Sequence, residues 1–481
     1  MTNLQTRKAY IEILQQLQNE IYPQLKKCWG FHPWAIIQNK VGYFLHMIAN
    51  GKYKEDDFTN YKRIYFSRKI RRTDVKHFLK LWWKAYRLKK KWKNVLRDHT
   101  LFISWHSNLN GKNENIYIHP MIKLLDKENK PSVILHMGTT TFEPDSITGF
   151  YQQLLEYHKL KLKIKAYFFN PIPAVLHNSR LVQDFFERSN SKFSDGIAHN
   201  IYWSIIHHQN AFDAFSTLLK TTKPELVWLY CYYGQESFIR AANKCRVKLV
   251  EYQHSAFSSD HFAYTKWKNI DDYSEHFPPL FWTWNKQSKQ IILENFTGKR
   301  YRPKVLCGGN LYIREQKENL QAIAINAENR KNKILVCLQG RWIPHFIEKF
   351  ILDHPDYFWY IRLHPRYPED KSRMDDLKQK IPDRIETEQA NALPLYELFL
   401  KVSFNLTAFS GTAIEAPEFG VQTIIFGEDG FSQFNEQIHA GLFKYVKTEK
   451  DLQEALTTPN QIVTSNENDA TVWHELYAAK K

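Results

Sequence analysis

The chain has 481 residues, 43% hydrophobic and 15% aromatic, which is enough apolar material for packed cores and excludes a wholly disordered protein. This length predicts two or three domains. The 67 Lys and Arg against 50 Asp and Glu give a net charge of +17. We therefore expect an anionic partner, which can be nucleic acid, acidic lipid or an anionic substrate.

The cysteines and the hydropathy pattern narrow the class further. The five cysteines are scattered and form no C-x-x-C pair, which argues against a disulfide framework or structural zinc and is typical of a protein of the reducing cytosol. The N-terminus lacks the apolar run of a signal peptide, and no later run is long enough to span a bilayer. We expect a cytoplasmic protein that is soluble or peripheral to a membrane.

Residues 1–100 are predicted to form a basic, mainly helical region. Between Tyr61 and Arg97, aromatic residues interleave with Lys and Arg. Phe78, Leu81, Trp82 and Ala85 have helical spacing, which predicts one apolar face and one cationic face. Three interpretations are open: a helix packed on its own domain with a solvated basic face, a helix on an anionic membrane surface, or a nucleic-acid site. No zinc-finger spacing or RNA-binding sheet motif supports the third interpretation.

Residues 101–313 alternate between strand and helix patterns and are predicted to form one α/β domain. The predicted helices and strands, in chain order, are strands 101–105 and 132–137, helix 145–157, strand 162–169, helix 200–219, strand 224–230, helix 235–244, strand 248–252, strand 280–284, helix 287–296 and strand 304–307.

Residues 314–481 are predicted to form a second α/β domain, after a polar crossing at 314–333. Its predicted helices and strands are strand 334–338, helix 346–352, strand 357–363, helices 373–380 and 395–400, strand 402–406, helix 412–419, strand 421–426 and helix 449–456. The most informative stretch is 404–427, which has the strand, small-residue loop, helix and strand of a parallel α/β sheet.

The loop within that stretch is a candidate anion site. Thr407, Ser410, Gly411 and Thr412 precede a predicted helix N-terminus, where unpaired N–H groups and the helix dipole attract phosphate. Glu415, one turn later, could reach ribose hydroxyls beside that phosphate. The alternative is an ordinary crossover whose helix begins with a Ser or Thr cap.

Two further motifs follow predicted strands. Gln253 and His254 come after strand 248–252, and a histidine there can accept a proton from a sugar hydroxyl at neutral pH. Arg362, His364 and Arg366 surround a turn fixed by a proline, and their donors fit phosphate oxygens. Each motif can also be purely structural: a histidine that ties a loop to the backbone, or a charged surface turn.

The sequence offers no recognisable metal site. We find no D-x-D in a context suited to a metal-bound nucleotide sugar, no H-E-x-x-H and no P-loop. The charge on a leaving nucleotide would then be stabilised by arginine, histidine and a helix N-terminus, without a metal ion.

Together, these motifs carry a resemblance. QH after a strand, the aromatic segments 261–264 and 278–284, R-L-H-P, and S-G-T-x-x-E-A resemble bacterial GT-B glycosyltransferases of capsule and lipopolysaccharide assembly. The H-P and Ser/Thr elements are similar to those of sialyltransferases and Kdo transferases. The QH, R-L-H-P and Ser/Thr set is also similar to CDP-glycerol glycerophosphotransferases. The resemblance covers 220–445 well, 101–220 only as general architecture and 1–100 not at all.

The resemblance implies a fold and a division of labour. The fold is α/β, with two Rossmann-like domains facing a cleft and the acceptor bound by the N-terminal one. The resemblance implies that His364 contacts the donor phosphate, that Ser410, Gly411 and Thr412 surround it, that Glu415 holds the ribose and that His254 is the base. The residue pattern adds Arg362, Arg366 and Thr407 to the donor-site candidates and Asp260 as the other candidate base. Ser255 replaces the Gly usual in these families, and the acidic base motif of the sialyltransferases is not evident unless Asp260 or Glu251 substitutes for it.

The implied activity is metal-independent sugar transfer from a nucleotide sugar to a surface polysaccharide or glycolipid. A CMP-sugar is the favoured donor, and a UDP- or GDP-sugar is possible. The basic helical region would hold the enzyme on the anionic inner face of the cell membrane, near a lipid-linked acceptor, and nucleic acid is not expected to bind. Two alternatives stay open: a CDP-alditol phosphotransferase of the same fold, and a non-catalytic basic module that binds membrane or nucleic acid.

Overall fold

The structure is a computed structural model. It describes residues 7–49, 72–105, 114–138, 142–169, 172–188, 194–258, 261–264, 267–320, 330–340, 342–364, 370–458 and 472–477. Two predicted site residues, Asp260 and Arg366, lie outside the described residues, and so does the basic segment 61–71.

The chain forms two compact units. The described residues up to His254, together with 261–308 and 472–477, belong to the first unit, and 255–258 together with the described residues from Gly309 to 458 belong to the second. The units differ from the predicted segments in four ways. The N-terminal helices are part of the first unit, and the division comes at Gly308 instead of residue 313. Residues 255–258 belong to the second unit, and residues 472–477 belong to the first. The predicted cleft between the domains stays a prediction.

The first unit is built on a six-stranded parallel sheet in the order β2-β1-β3-β4-β5-β6. The strands are β1 (Thr100–Trp105), β2 (Ser132–Met137), β3 (Leu226–Tyr230), β4 (Lys248–Tyr252), β5 (Leu280–Thr283) and β6 (Lys304–Cys307). The helices are α1 (Arg7–Ile21), α2 (Trp34–Ala49), α3 (Arg72–Lys91), α4 (His119–Lys127), α5 (Ile147–Phe169), α6 (Ile172–Arg188), α7 (Ser194–Thr222), α8 (Glu236–Cys245) and α9 (Lys286–Asn295).

Buried hydrogen bonds fasten the N-terminal helices to this unit. Asn39 on α2 donates to the Glu236 carboxylate at 2.7 Å, and Gln38 donates to the Phe262 carbonyl at 3.3 Å. Both α2 side chains are buried. Because a buried amide is stable only when its hydrogen bonds are made, these contacts place α2 in the core of the unit.

One predicted strand is wrong: residues 162–169 lie within α5. From Leu160 to Lys165, leucine or isoleucine alternates with lysine, which has the period of a strand. However, Lys favours helix, Leu160 and Leu162 are buried, and Lys163 pairs with Asp74 of α3 at 2.7 Å. Tertiary packing of α5 therefore overrides the local pattern.

The second unit contains a six-stranded parallel sheet in the order β9-β8-β7-β10-β11-β12. Its strands are β7 (Lys333–Cys337), β8 (Phe358–Arg362), β9 (Ile385–Glu386), β10 (Phe404–Thr407), β11 (Gln422–Phe426) and β12 (Lys444–Val446). Its helices are α10 (Leu311–Leu320), α11 (His345–Asp353), α12 (Lys371–Lys380), α13 (Glu388–Ala392), α14 (Leu395–Phe399), α15 (Thr412–Glu415), α16 (Glu428–Gln433), α17 (Asn435–His439) and α18 (Glu449–Thr457).

Numbered from β7 as strand 1, this order is 3-2-1-4-5-6, the order of a Rossmann sheet. Both of its faces are covered. Ile334, Val336 and Leu406 pack with residues of α11, α12 and α18, whereas Leu335 packs with residues of α13 and α14. The predicted α/β class with two Rossmann-like domains, the components of a GT-B fold, is confirmed.

Candidate functional site

The strand order of the second sheet locates its ligand edge. Successive strands run outward from β7 to β9 on one side and from β10 to β12 on the other, so the order reverses between β7 and β10. In open α/β sheets, ligands bind outside the carboxyl ends of the strands at this reversal. Arg362, Cys337 and Thr407 lie in register there on three neighbouring strands, and the Thr407 hydroxyl donates to the Cys337 carbonyl at 2.9 Å.

The loop after β10 leads into a helix shorter than predicted. α15 ends at Glu415, and a 3-10 turn, Ala416–Phe419, continues it as far as Gly420, which has φ 71°. Pro417 has no N–H to give to the Ala413 carbonyl, and the Thr423 hydroxyl donates to that carbonyl at 2.9 Å instead. The helix dipole at this loop is therefore weaker than a helix over 412–419 would supply.

Ser410 and Thr412 face the protein more than the sequence predicts. The Ser410 hydroxyl accepts a hydrogen bond from the Thr412 N–H at 3.2 Å, so one N–H expected to face an anion is already satisfied. The Thr412 hydroxyl accepts from the Asn405 amide at 3.5 Å and contacts the Cys337 thiol. Binding of phosphate by this loop would depend on its other backbone groups.

Gly411 differs from the other glycines around this edge. Its φ of −56° and ψ of −24° are open to any residue, and a Cβ added to it meets no atom within 4 Å. By contrast, Gly427 has φ 79°, and a Cβ on Gly430 would collide with the Ala408 carbonyl. Neither backbone conformation nor packing among the described residues requires glycine at 411, so the missing side chain leaves an open space beside the loop.

Glu415 has an environment that perturbs its ionisation. Its carboxyl group is half-buried and bonded to the Tyr396 hydroxyl. Burial raises its pKa to about 7, although the bond to Tyr396 acts in the opposite direction. The carboxyl group therefore exchanges a proton near neutral pH, which is uncommon for a glutamate and common at functional sites.

The strand β8 motif is partly committed to structure. One terminal nitrogen (Nη1) of Arg362 donates to the Ala390 and Leu393 carbonyls at 2.6 and 2.7 Å, so that nitrogen holds the connection between α13 and α14. His364 lies two residues beyond β8 and is half-buried. With only β7 between them, the ends of β8 and β10 are separated by about 10 Å, two strand spacings. His364 and Ser410 thus follow strands that end at the same edge of one sheet, and the roles of Arg362 and His364 in binding stay predictions.

Sequence reasoning missed two amides at this edge. Gln339 is the second residue after β7, and its Oε1 is buried without a partner among the described residues. Asn405 is fully buried, and its Oδ1 has no described partner either. Unpaired buried polar atoms are uncommon and call for an explanation. Gln339 had one signal in the sequence: it is the first polar residue after the apolar run of β7.

His254 follows β4 in the first unit, as predicted. Its Nε2 lies 3.1 Å from the Tyr233 hydroxyl, and its Nδ1 is buried without a partner among the described residues. Burial lowers its pKa to about 4, so the ring is neutral at pH 7 and chemically able to accept a proton. The base role stays a prediction, and Tyr233 is a neighbour that the sequence did not indicate.

Two polar residues shortly before His254 are structural. The fully buried Gln253 donates to the Ser288 hydroxyl at 3.0 Å and accepts from the Trp284 N–H at 2.7 Å. Glu251 is also fully buried and accepts from the Tyr264 hydroxyl at 2.7 Å. Burial raises the pKa of Glu251 to about 8, which holds it mostly protonated at pH 7. Glu251 therefore does not fit the alternative role of a solvent-accessible acidic base.

The described residues lack two other kinds of feature. They contain no group of three or more His, Cys, Asp or Glu side chains placed to hold a metal ion. They also include no helix that combines the length and apolarity needed to cross a bilayer. All five cysteines are free thiols.

No family model matches the chain, and no curated protein matches it. Solved structures do. S. aureus MnaA with UDP is 14% identical, with 79% of this chain and 95% of that chain covered and a TM-score of 0.45. The UDP-GlcNAc 2-epimerase of Methanocaldococcus jannaschii with UDP-GlcNAc and UDP is 14% identical, with 79% and 100% covered and a TM-score of 0.44. The lipopolysaccharide outer core galactosyltransferase WaaB is 12% identical, with 79% and 97% covered and a TM-score of 0.41. Similarity at this level does not assign the activity of any of these proteins to the chain.

Proposed function

We propose that this chain is a glycosyltransferase that moves a sugar from a nucleotide-activated donor to a saccharide or glycolipid hydroxyl. A CMP-sugar is the favoured donor, with UDP- and GDP-sugars as the other candidates. The transfer needs no metal ion in this proposal, and it takes place in the cytoplasm, where such donors and lipid-linked acceptors meet.

One observation carries the proposal: Gly411 leaves an open space at the reversal point of a Rossmann sheet, and neither its conformation nor its packing against the described residues requires glycine. Backbone that must approach a phosphate closely is a recognised reason for glycine in such a loop. Glu415, with its pKa near 7, lies one turn away. Gln339, just after β7, and Asn405, on β10, add two amide oxygens that have no partner among the described residues.

On the donor side, the backbone around Gly411 would receive the phosphate. His364 and Arg366 would supply positive charge as the bond between the anomeric carbon and the phosphate oxygen breaks and that oxygen takes the electron pair. Charge aimed at a developing anion lowers the barrier most when the groups are fixed beforehand. Glu415 would accept hydrogen bonds from ribose hydroxyls in its ionised form.

On the acceptor side, His254 would take the proton from the attacking hydroxyl. A general base must be unprotonated before the reaction, and the depressed pKa of His254 ensures this above about pH 5. Tyr233 would orient the ring through its hydroxyl, 3.1 Å from Nε2. Asp260 is the other candidate base.

The first test is a thermal-shift screen of CMP, CDP, UDP, GDP and their sugars in buffer with EDTA. A ligand that binds only the folded protein raises its melting temperature, so at least one nucleotide should do so in a saturable way. His364→Ala should weaken the binding of that nucleotide at least tenfold. His439→Ala, an exposed histidine at the end of α17, is the matched control and should leave binding unchanged.

No saturable shift with any nucleotide would refute the proposal. If one binds, incubation of its sugar conjugate with candidate acceptors gives the reaction class. A product whose new linkage contains phosphorus would favour the phosphotransferase alternative instead.

A further inference from the structure

Helix α3 packs one face on the first unit. Leu81, Ala85 and Leu88 are buried, Phe78 stacks on Tyr157 of α5 with ring centroids 5.2 Å apart, and Asp74 pairs with Lys163. At 100° per residue, the three buried residues occupy one narrow stripe of the helix. The expectation of a helix packed on its own domain is therefore correct for this stripe.

A second apolar stripe of the same helix is exposed. Its five members keep about half of their surface open: Val75 47%, Leu79 59%, Trp82 47%, Trp83 54% and Tyr86 52%. They recur three and four residues apart, so they form one continuous strip along the helix. Trp82 is thus outside the buried face that the sequence assigned to it. A contiguous exposed apolar strip of this kind marks an interaction surface.

The border of this strip is cationic. Lys76, Lys80 and Lys84 follow each other at four-residue intervals, and all three are exposed. The sequence of α3 contains eight Lys and Arg and a single acid, Asp74, which the ion pair with Lys163 already neutralises.

The aromatic rings are stacked on one another. The centroids of Trp82 and Tyr86 are 5.9 Å apart at 19°, and those of Trp83 and Tyr86 are 5.8 Å apart at 23°. Proteins bind single-stranded nucleic acid by stacking its bases on the faces of aromatic rings. Ring faces that already stack on one another are poor platforms for this. Together with Val75 and Leu79, the three rings form an exposed apolar surface. Trp and Tyr beside Lys are what a helix lying in a lipid headgroup region requires.

We propose that the exposed strip of α3, defined as Val75, Leu79, Trp82, Trp83 and Tyr86 with Lys76, Lys80 and Lys84 along its border, docks the protein on an anionic lipid bilayer. The rings enter the boundary between headgroups and acyl chains while the lysines contact anionic headgroups. Charge complementarity selects this occupant over a neutral surface. The inference does not depend on the proposed function.

The test uses the full-length protein and vesicles of phosphatidylcholine alone or with about 30% phosphatidylglycerol, where lysine contacts scale with anionic charge. Wild type should sediment with the anionic vesicles, less so at 0.5 M salt and little with the neutral ones. Trp82→Ser, Trp83→Ser and Tyr86→Ser combined should reduce binding at least tenfold, and Lys80→Glu with Lys84→Glu should do the same. These positions are exposed, so melting temperature and nucleotide binding should not change.

Two controls match these changes elsewhere. Leu293→Ser with Leu352→Ser removes other exposed leucines, each 39% exposed, and Lys371→Glu with Lys401→Glu reverses charge on the second unit; neither should alter binding. Equal sedimentation with both vesicle types, or none with either, would overturn the proposal. So would strip variants that bind like wild type, a dimer that only the strip variants lose, or random duplex that competes fully with vesicles.

Discussion

Gly411→Ala separates a binding role for the loop after β10 from a structural role. The substitution adds one methyl group at φ −56°, where alanine is fully allowed, and that group meets no described atom within 4 Å. Replacing glycine in a compatible conformation stabilises by about 0.4–1 kcal/mol through the unfolded state. Loss of a glycine N-cap costs a similar amount, so the folding free energy should change by less than about 1 kcal/mol.

Nucleotide binding should respond very differently. A phosphate oxygen accepting from backbone N–H sits about 2.9 Å from the nitrogen, and a methyl group on the same residue competes for that space. We expect at least a tenfold rise in Kd, which corresponds to about 1.4 kcal/mol, and Gly411→Val should be worse. The assay is isothermal titration with the nucleotide selected by thermal shift, alongside urea unfolding of the same preparations.

Gly420→Ala is the matched control. Gly420 has φ 71°, which alanine resists, so this variant should lose about 1 kcal/mol or more of stability while its nucleotide affinity stays that of wild type. A Gly411→Ala protein that binds nucleotide as tightly as wild type would refute close approach of phosphate to this loop. If Gly411→Ala unfolds instead, the inference that residue 411 lies beside an open space is wrong.

Three further predictions concern single side chains. The folded pKa of Glu415 is about 7, above its ordinary 4.5, so at pH 6 the carboxyl group must lose a proton before it can accept hydrogen bonds from ribose hydroxyls. Nucleotide affinity should therefore rise up to tenfold per pH unit between pH 6 and 7. Glu415→Gln should abolish that rise in titrations at both pH values. His254→Gln should lower kcat about 10²- to 10⁴-fold. In the wild-type enzyme the rate should fall on the acid side near pH 4, the folded pKa of His254. A fall near pH 6.5 would count against the base role. Arg362→Met removes the bonds to the Ala390 and Leu393 carbonyls and should cost about 2–3 kcal/mol in urea unfolding, whereas an unchanged midpoint would show that these bonds are not needed.

The sheets were the predictable part of this fold. Buried parallel strands are continuous apolar runs of distinctive length, and 334–338 and 402–406 correspond to β7 and β10 within two residues. Where pattern and packing disagree, prediction failed. The alternation of apolar residues and lysine at 160–165 lies in α5 because that helix packs between α3 and α7, and this packing cannot be deduced from a short stretch of sequence.

The candidate site was predictable in position more than in detail. Strand ends could be located, so the positions of His254 after β4 and of Ser410 after β10 were predicted correctly, whereas their roles stay predictions. The direction in which a side chain points could not, because it depends on neighbours distant in sequence: the Arg362 nitrogen that donates to the Ala390 and Leu393 carbonyls is one case, and the unpaired oxygen of Gln339 is another. The exposed strip of α3 could not be predicted for the same reason, since helical spacing does not show which apolar stripe packs on the protein and which stays exposed.

Hydrogen exchange with and without saturating nucleotide tests the central claim most directly, because it reports which backbone amides the ligand protects. We expect slower exchange in peptides covering 338–340 and 408–415, and a smaller slowing in a peptide covering 363–364. Gly411→Ala at the same nucleotide concentration should show no such effect. Protection confined to the first unit, or spread evenly over both sheets, would contradict a nucleotide site at the carboxyl ends of β7 and β10.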